Sequence, residues 1–280
     1  MKKRFLATAV MAAIMAWGAI VNAGPGKIKN TVHNMSSVAP SGFVGTRHWY
    51  STDTDEVCVF CHTPHNAKPA QPLWNKVNPT QAFNMYTSST TLTSVAKKVT
   101  APSPESLLCL SCHDGRTAIN VLHNSSAGID AGGGDKKLMI GGVYDDPTAP
   151  AGVTGIPMNI DTFTIPNTYR ANLGRTEADR YAGTNLMDDH PISFSYTAAY
   201  NEKVGSGSSA INPIATPLSK GLRFFGSNNR MECSTCHDPH VDYGMDFDGN
   251  PTYSGGNTAL RPFLVRDNTG SAMCLACHNK

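Results

Sequence analysis

The main apolar run in the chain lies at its start, where Phe5 to Val21 is 17 residues without a charge behind Lys2, Lys3 and Arg4. The positive flank, the apolar centre and Val21-Asn22-Ala23 form an export signal, with cleavage predicted after Ala23. Seventeen residues is the lower edge of a spanning helix, and no later segment is apolar enough to cross a bilayer. No Cys follows the cleavage position, so lipid anchoring there has no attachment point. Beyond the signal the pattern is broken into short pieces. Asn159 to Ile165 and Pro191 to Tyr196 alternate apolar and polar side chains and predict short strands. Ser125 to Gly142, which contains Gly132-Gly133-Gly134, predicts a flexible loop. The expected fold is mostly irregular backbone with short helices and a few small strands.

Composition sharpens this. Charged residues are 16%, and 25 Gly with 18 Pro occupy 43 of 280 positions. That excludes coiled coils and long amphipathic helices. The 23 Lys and Arg fall to 20 once Lys2, Lys3 and Arg4 are removed, against 21 Asp and Glu, so the exported chain carries −1 with His neutral. No basic stripe with interleaved aromatics is present, which argues against nucleic acid as a partner. Asp246-Phe247-Asp248-Gly249-Asn250 resembles a calcium loop but lacks the closing glutamate and reads as a β-turn.

The chemistry lies in the 8 Cys, which form four Cys-x-x-Cys pairs, each followed at once by His. They are Cys58 and Cys61 with His62, Cys109 and Cys112 with His113, Cys233 and Cys236 with His237, and Cys274 and Cys277 with His278. Two thiols at this spacing reach two vinyl groups on one edge of a haem, and the adjacent His reaches the iron from one face. A zinc ribbon would leave the four His unexplained, and a thioredoxin-like motif needs one pair in a βαβ unit. The cofactors expected are therefore four covalently attached c-type haems, with no disulfides.

Four irons need eight axial ligands, and His33, His48, His65, His123, His190 and His240 remain for four of them. His65 and His240 each stand three positions after a motif His and cannot pass round the macrocycle to the far face of the same haem, so each must serve a different one. His33 and His190 each precede a motif pair. The two halves thus share one order: His, Cys-x-x-Cys-His-x-Pro-His, Cys-x-x-Cys-His. This indicates an internal duplication. His48 and His123 have no counterpart and read as ordinary polar residues. Met35 and Met231 are alternative ligands that the supply of His makes unnecessary. With every position filled no iron is open, which predicts electron transfer and not an enzyme.

The motif starts are 51, 124 and 41 residues apart. The divisions expected are a signal peptide over 1–23, a first haem pair over 24–125, a loop-rich insertion over 126–189 and a second haem pair over 190–280, the last three forming one haem-linked unit. So few aliphatic residues leave the haems as the core, and the apo-chain is expected to be largely unfolded.

Cys58 to His65, Pro72-Leu73-Trp74-Asn75, Leu108 to Gly115 and His190-Pro191-Ile192-Ser193-Phe194 together resemble the doubled Cys-x-x-Cys-His multihaem c-type cytochromes of metal-reducing bacteria, the filament-forming tetrahaem ones among them. The resemblance covers nearly all of the exported chain. It implies self-association into an extracellular filament with a continuous haem chain, with redox partner cytochromes and external electron acceptors such as metal oxides. It further implies that His65 binds the third haem of a neighbouring subunit and His240 the first haem of its own, leaving His33 and His190 for the second and fourth. Two other readings stay open: a monomeric periplasmic shuttle and a multihaem reductase.

Overall fold

The structure is a computed structural model. It describes residues 28–38, 49–51, 54–64, 73–114, 121–124, 129–130, 137–138, 142–144, 156–157, 185–244 and 256–279. The export signal, His48, His65, the predicted strand at Asn159 to Ile165 and the turn at Asp246 to Asn250 lie outside the described residues.

The described elements are short. In chain order they are β1 (Trp49–Ser51), α1 (Ser94–Lys97), α2 (Pro104–His113), β2 (Val121–Leu122), β3 (Ile129–Asp130), β4 (Lys137–Leu138), β5 (Gly142–Tyr144), β6 (Ile156–Pro157), β7 (Phe194–Ser195), α3 (Tyr196–Gly205), α4 (Ala215–Ser219), β8 (Arg230–Met231), α5 (Cys233–Cys236) and α6 (Cys274–Cys277). The strands form sheets in the orders β1-β5-β6, β2-β4-β3 and β7-β8. All the strand pairs are antiparallel. Among the described residues no helix is long and apolar enough to cross a membrane.

Two local readings need correction. Pro191 to Tyr196 contributes only Phe194 and Ser195 to a strand, because the Ser195 hydroxyl accepts the Ala198 N–H at 3.2 Å and turns Tyr196 into the first residue of α3. Ser125 to Gly142 is not wholly loop. Ile129 pairs with Leu138 and Asp130 with Lys137, so strands flank the glycine run.

Helix α2 shows how a motif is presented. Pro104 presets the first helical turn, Glu105 suits its positive end, and the Asp114 N–H closes it on the Leu110 carbonyl at 3.1 Å. In α5 and α6 the helix is only the Cys-x-x-Cys turn. His237 and His278 follow in extended backbone, each donating its N–H to the carbonyl of the first Cys, at 3.1 and 2.9 Å. The first motif forms no helix, yet His62 donates to the Cys58 carbonyl in the same way at 2.8 Å.

Apolar packing is divided among three clusters. One joins Met35, Phe60 and Leu122; a second joins Phe83, Met85, Leu110 and Leu186; a third joins Tyr196, Leu222, Met231, Ala276 and Cys277. Each contains a residue of a Cys-x-x-Cys-His motif. Met35 and Met231 are 7% and 4% exposed within these clusters, where they act as packing side chains.

Candidate metal-ligand site: opposed histidine pairs

Three of the motif histidines face a second histidine. The His62 and His240 ring centroids are 6.3 Å apart with the rings near parallel, at 17°. His33 and His113 are 6.1 Å apart at 87°, and His190 and His278 are 6.3 Å apart at 65°. Bonds of about 2 Å from each ring nitrogen to a shared metal, with about 1.2 Å from nitrogen to ring centre, put two opposed imidazoles roughly 6.4 Å apart. All three pairs have that spacing although their interplanar angles differ. The common quantity is the distance between ring centres, which two imidazoles bound to one ion would also show. Among the described residues no three His, Cys, Asp or Glu side chains converge, so each pair offers two donors. Two axial donors are what a planar macrocycle with four nitrogens of its own leaves to the protein. The donor set, two imidazoles beside a Cys-x-x-Cys sequence, fits a haem at each pair.

The protonation of the rings suits ligation. His33 is half-buried and stacked on Phe263, with centroids 4.4 Å apart. Burial, reinforced by the charge His113 would carry, lowers its pKa to about 3 and keeps the imidazole neutral. Burial and His240 lower that of His62 in the same direction. Nδ1 is engaged on three other rings: on Pro191 O at 2.8 Å for His190, on Pro262 O at 2.9 Å for His237, and on the Asp238 carboxylate at 2.8 Å for His240. A ring held at Nδ1 presents Nε2 outward.

No family model and no curated protein matches the chain.

The eight cysteines are all free thiols. They adjoin in motif order. Burial and then the nearby Cys112 push the Cys61 thiol up to about 12. Cys109 and Cys233 share a hydrogen bond that pushes Cys109 up and draws Cys233 down. Burial, then Cys277 and Cys274, raise Cys236 to about 11. The first motif thus neighbours the second, the second the third, and the third the fourth.

The histidine partners that the resemblance implies for three of the motifs stand opposite them: His240 at His62, His33 at His113 and His190 at His278. Among the described residues no histidine ring faces His237, whose side chain is exposed, and His65 lies outside them. His123 is buried at 8% exposure, with its backbone N–H on Asn75 O at 2.8 Å.

A buried knot of polar groups escaped the sequence reading. The Glu232 side chain is fully buried and accepts from Ser106 Oγ at 2.6 Å, Ser193 Oγ at 3.0 Å and Arg230 Nε at 3.0 Å. Arg230 Nη2 also donates to Glu105 at 2.6 Å. The knot ties α2, which carries the second motif, to α5, which carries the third, and to the segment after His190. Its one signal in the sequence was a carboxylate directly before Cys233, where burial beside a motif is unusual for an unpaired Glu. Asp238, which holds His240, was signalled by acidic residues after two motif histidines: Asp114 and Asp238, against Thr63 and Asn279.

Proposed function

We propose that this chain is a tetrahaem c-type cytochrome that carries electrons, with eight thioethers from Cys58, Cys61, Cys109, Cys112, Cys233, Cys236, Cys274 and Cys277. The observation that carries the reading is the trio of opposed imidazoles at 6.1 to 6.3 Å, each joining a Cys-x-x-Cys-His histidine to one outside any motif. When bound, haem supplies reversible one-electron chemistry at iron.

The residues of the chain do the rest. His62 with His240, His113 with His33 and His278 with His190 would hold three of the groups, each by two imidazoles, leaving no place for water or substrate, which suits transfer without bond chemistry. Hydrogen bonds at Nδ1 fix the ring tautomer and orientation of His190, His237 and His240. Phe60, Leu110 and Ala276, within the motifs, are at most 3% exposed and lower the local dielectric. The adjoining of cysteines from successive motifs supports an unbroken order of four sites along one chain.

The same reading assigns the fourth pair to two subunits: His237 from one, and from another His65, which cannot reach the far face of its own motif's haem. Repeated between copies, that bond makes a heterologous contact that propagates into a filament. An exported filament of this kind would pass electrons to redox partner cytochromes and to acceptors outside the cell.

The test is the mass and visible spectrum of the exported chain. Four haems per chain with low-spin bis-histidine bands are expected. A chain without covalent haem, or with a high-spin majority, refutes the reading. Electron microscopy then separates a filament from a monomeric shuttle.

A further inference from the structure

Asp238 faces two ways. Its Oδ1 accepts from His240 Nδ1 at 2.8 Å and from the His240 backbone N–H at 3.0 Å, while Oδ2 accepts from Arg223 Nη2 at 3.1 Å. Its own N–H is held by the Phe263 carbonyl at 2.7 Å. The residue is 9% exposed, so the carboxylate is fixed at both oxygens in a largely dry place. The ring it holds stands parallel to His62 at 6.3 Å. His190 and His237 rest their Nδ1 atoms on neutral Pro carbonyls instead. At the matching position of the first half, after its first motif histidine, stands Thr63, a neutral side chain engaged with Asn124 Nδ2 at 3.1 Å, while Asp114, after the second, accepts from Gln81 Nε2 at 2.7 Å. A charge at this matching position therefore belongs to the second half of the duplication, although it acts on the ligand pair of the first motif.

We infer that Asp238 is a positioning residue that makes the His62–His240 site the more easily oxidised end of the electron path, by holding His240 as a strong anionic-type donor. This rests on the haem reading above. A carboxylate at the far nitrogen pulls the shared proton toward itself, raises electron density at Nε2 and places a negative charge a few ångströms from the metal. Were a haem held there, loss of one electron to its neighbour would add one positive charge at the site. The proton between Nδ1 and Oδ1 stays in place, so charge is balanced by the fixed carboxylate and no base is consumed. Arg223 opposes this, because its guanidinium draws the carboxylate charge away from His240. The same short segment, His237-Asp238-Pro239-His240, carries the third motif's histidine, so the setting of the first site is built into the third motif.

The test is a spectroelectrochemical titration of the haem-loaded full chain as wild type, Asp238→Asn and Arg223→Gln, with haem content measured first. Asp238→Asn is expected to raise one of the four components, shifting its reduced-to-oxidised ratio about tenfold at fixed potential, which is about 59 mV for one electron. Arg223→Gln, at a half-exposed side chain, should lower the same component. Asp238→Glu, which restores the charge, should return it most of the way. A merely structural role would broaden or shift several components together and would not give opposite signs for the two partners. Four unchanged components in haem-loaded Asp238→Asn would overturn the inference. If that variant fails to load haem, a null or upward shift in Arg223→Gln would overturn it equally. Wild-type chain without haem would instead overturn the parent reading.

Discussion

Replacing Glu232 with Gln tests the idea that a buried polar knot sets the spacing between the second and third motifs. The carboxylate receives three charge-assisted hydrogen bonds with its side chain fully out of solvent. A Gln of the same shape can point its oxygen at Arg230, but its amide must then face the Ser106 and Ser193 hydroxyls. Those hydroxyls already accept, Ser106 from the Cys233 N–H at 3.3 Å and Ser193 from the Ser103 N–H at 2.8 Å. Each charged bond is worth about 1 kcal/mol more than its neutral counterpart, so the substitution should cost about 3 kcal/mol. Glu232→Ala, which leaves an arginine and two hydroxyls short of a partner, should cost about 4 kcal/mol. Equilibrium urea unfolding of the haem-loaded protein, followed by Soret circular dichroism, measures both. Arg230→Met alone and combined with Glu232→Gln completes a cycle in which the two effects should fall well short of additive. A loss under about 1 kcal/mol for Glu232→Gln, or strict additivity, would show that the knot does not hold α2 to α5.

Four further outcomes follow from the proposed haem reading and the geometry above. His65→Ala should keep four haems yet lose filaments in electron micrographs; persistent filaments would remove His65 from the contact between subunits. His190→Ala should turn one haem of four high-spin in electron paramagnetic resonance, since it leaves His278 without its opposed ring at 6.3 Å. Leu110→Ala, at a fully buried side chain in the second cluster, should cost about 3 kcal/mol in the same urea assay. On the haem reading, a chain with all eight Cys changed to Ser should show little ordered structure by far-ultraviolet circular dichroism, since the apolar clusters among the described residues are small; a cooperative melt in that chain would contradict this.

The motifs were legible because their geometry is local. Cys233, Cys236 and His237 lie within one helical turn and the residue after it, so spacing alone sets where the thiols and ring emerge. The argument that His65 and His240 cannot share a metal with the histidine of their own motif was local in the same way. Short-range capping was harder to read: the alternation over Pro191 to Tyr196 fits a strand until Ser195 Oγ captures the Ala198 N–H and starts a helix. The glycine run within Ser125 to Gly142 read as loop because its flanking strands have two residues each, too short to register as a period.

What the sequence by itself determined is the inventory: eight thiols in four motifs, ten histidines, the order in which they recur and the scarcity of aliphatic residues. Only the tertiary structure decided which rings face one another. His62 and His240 are 178 positions apart, and no local propensity brings them to 6.3 Å. Nor could the sequence show that Asp238 would turn toward His240 or that Glu232 would be sealed between α2 and α5. Those contacts depend on how separate segments pack, and the free energy of a buried charge depends on partners that arrive from far along the chain.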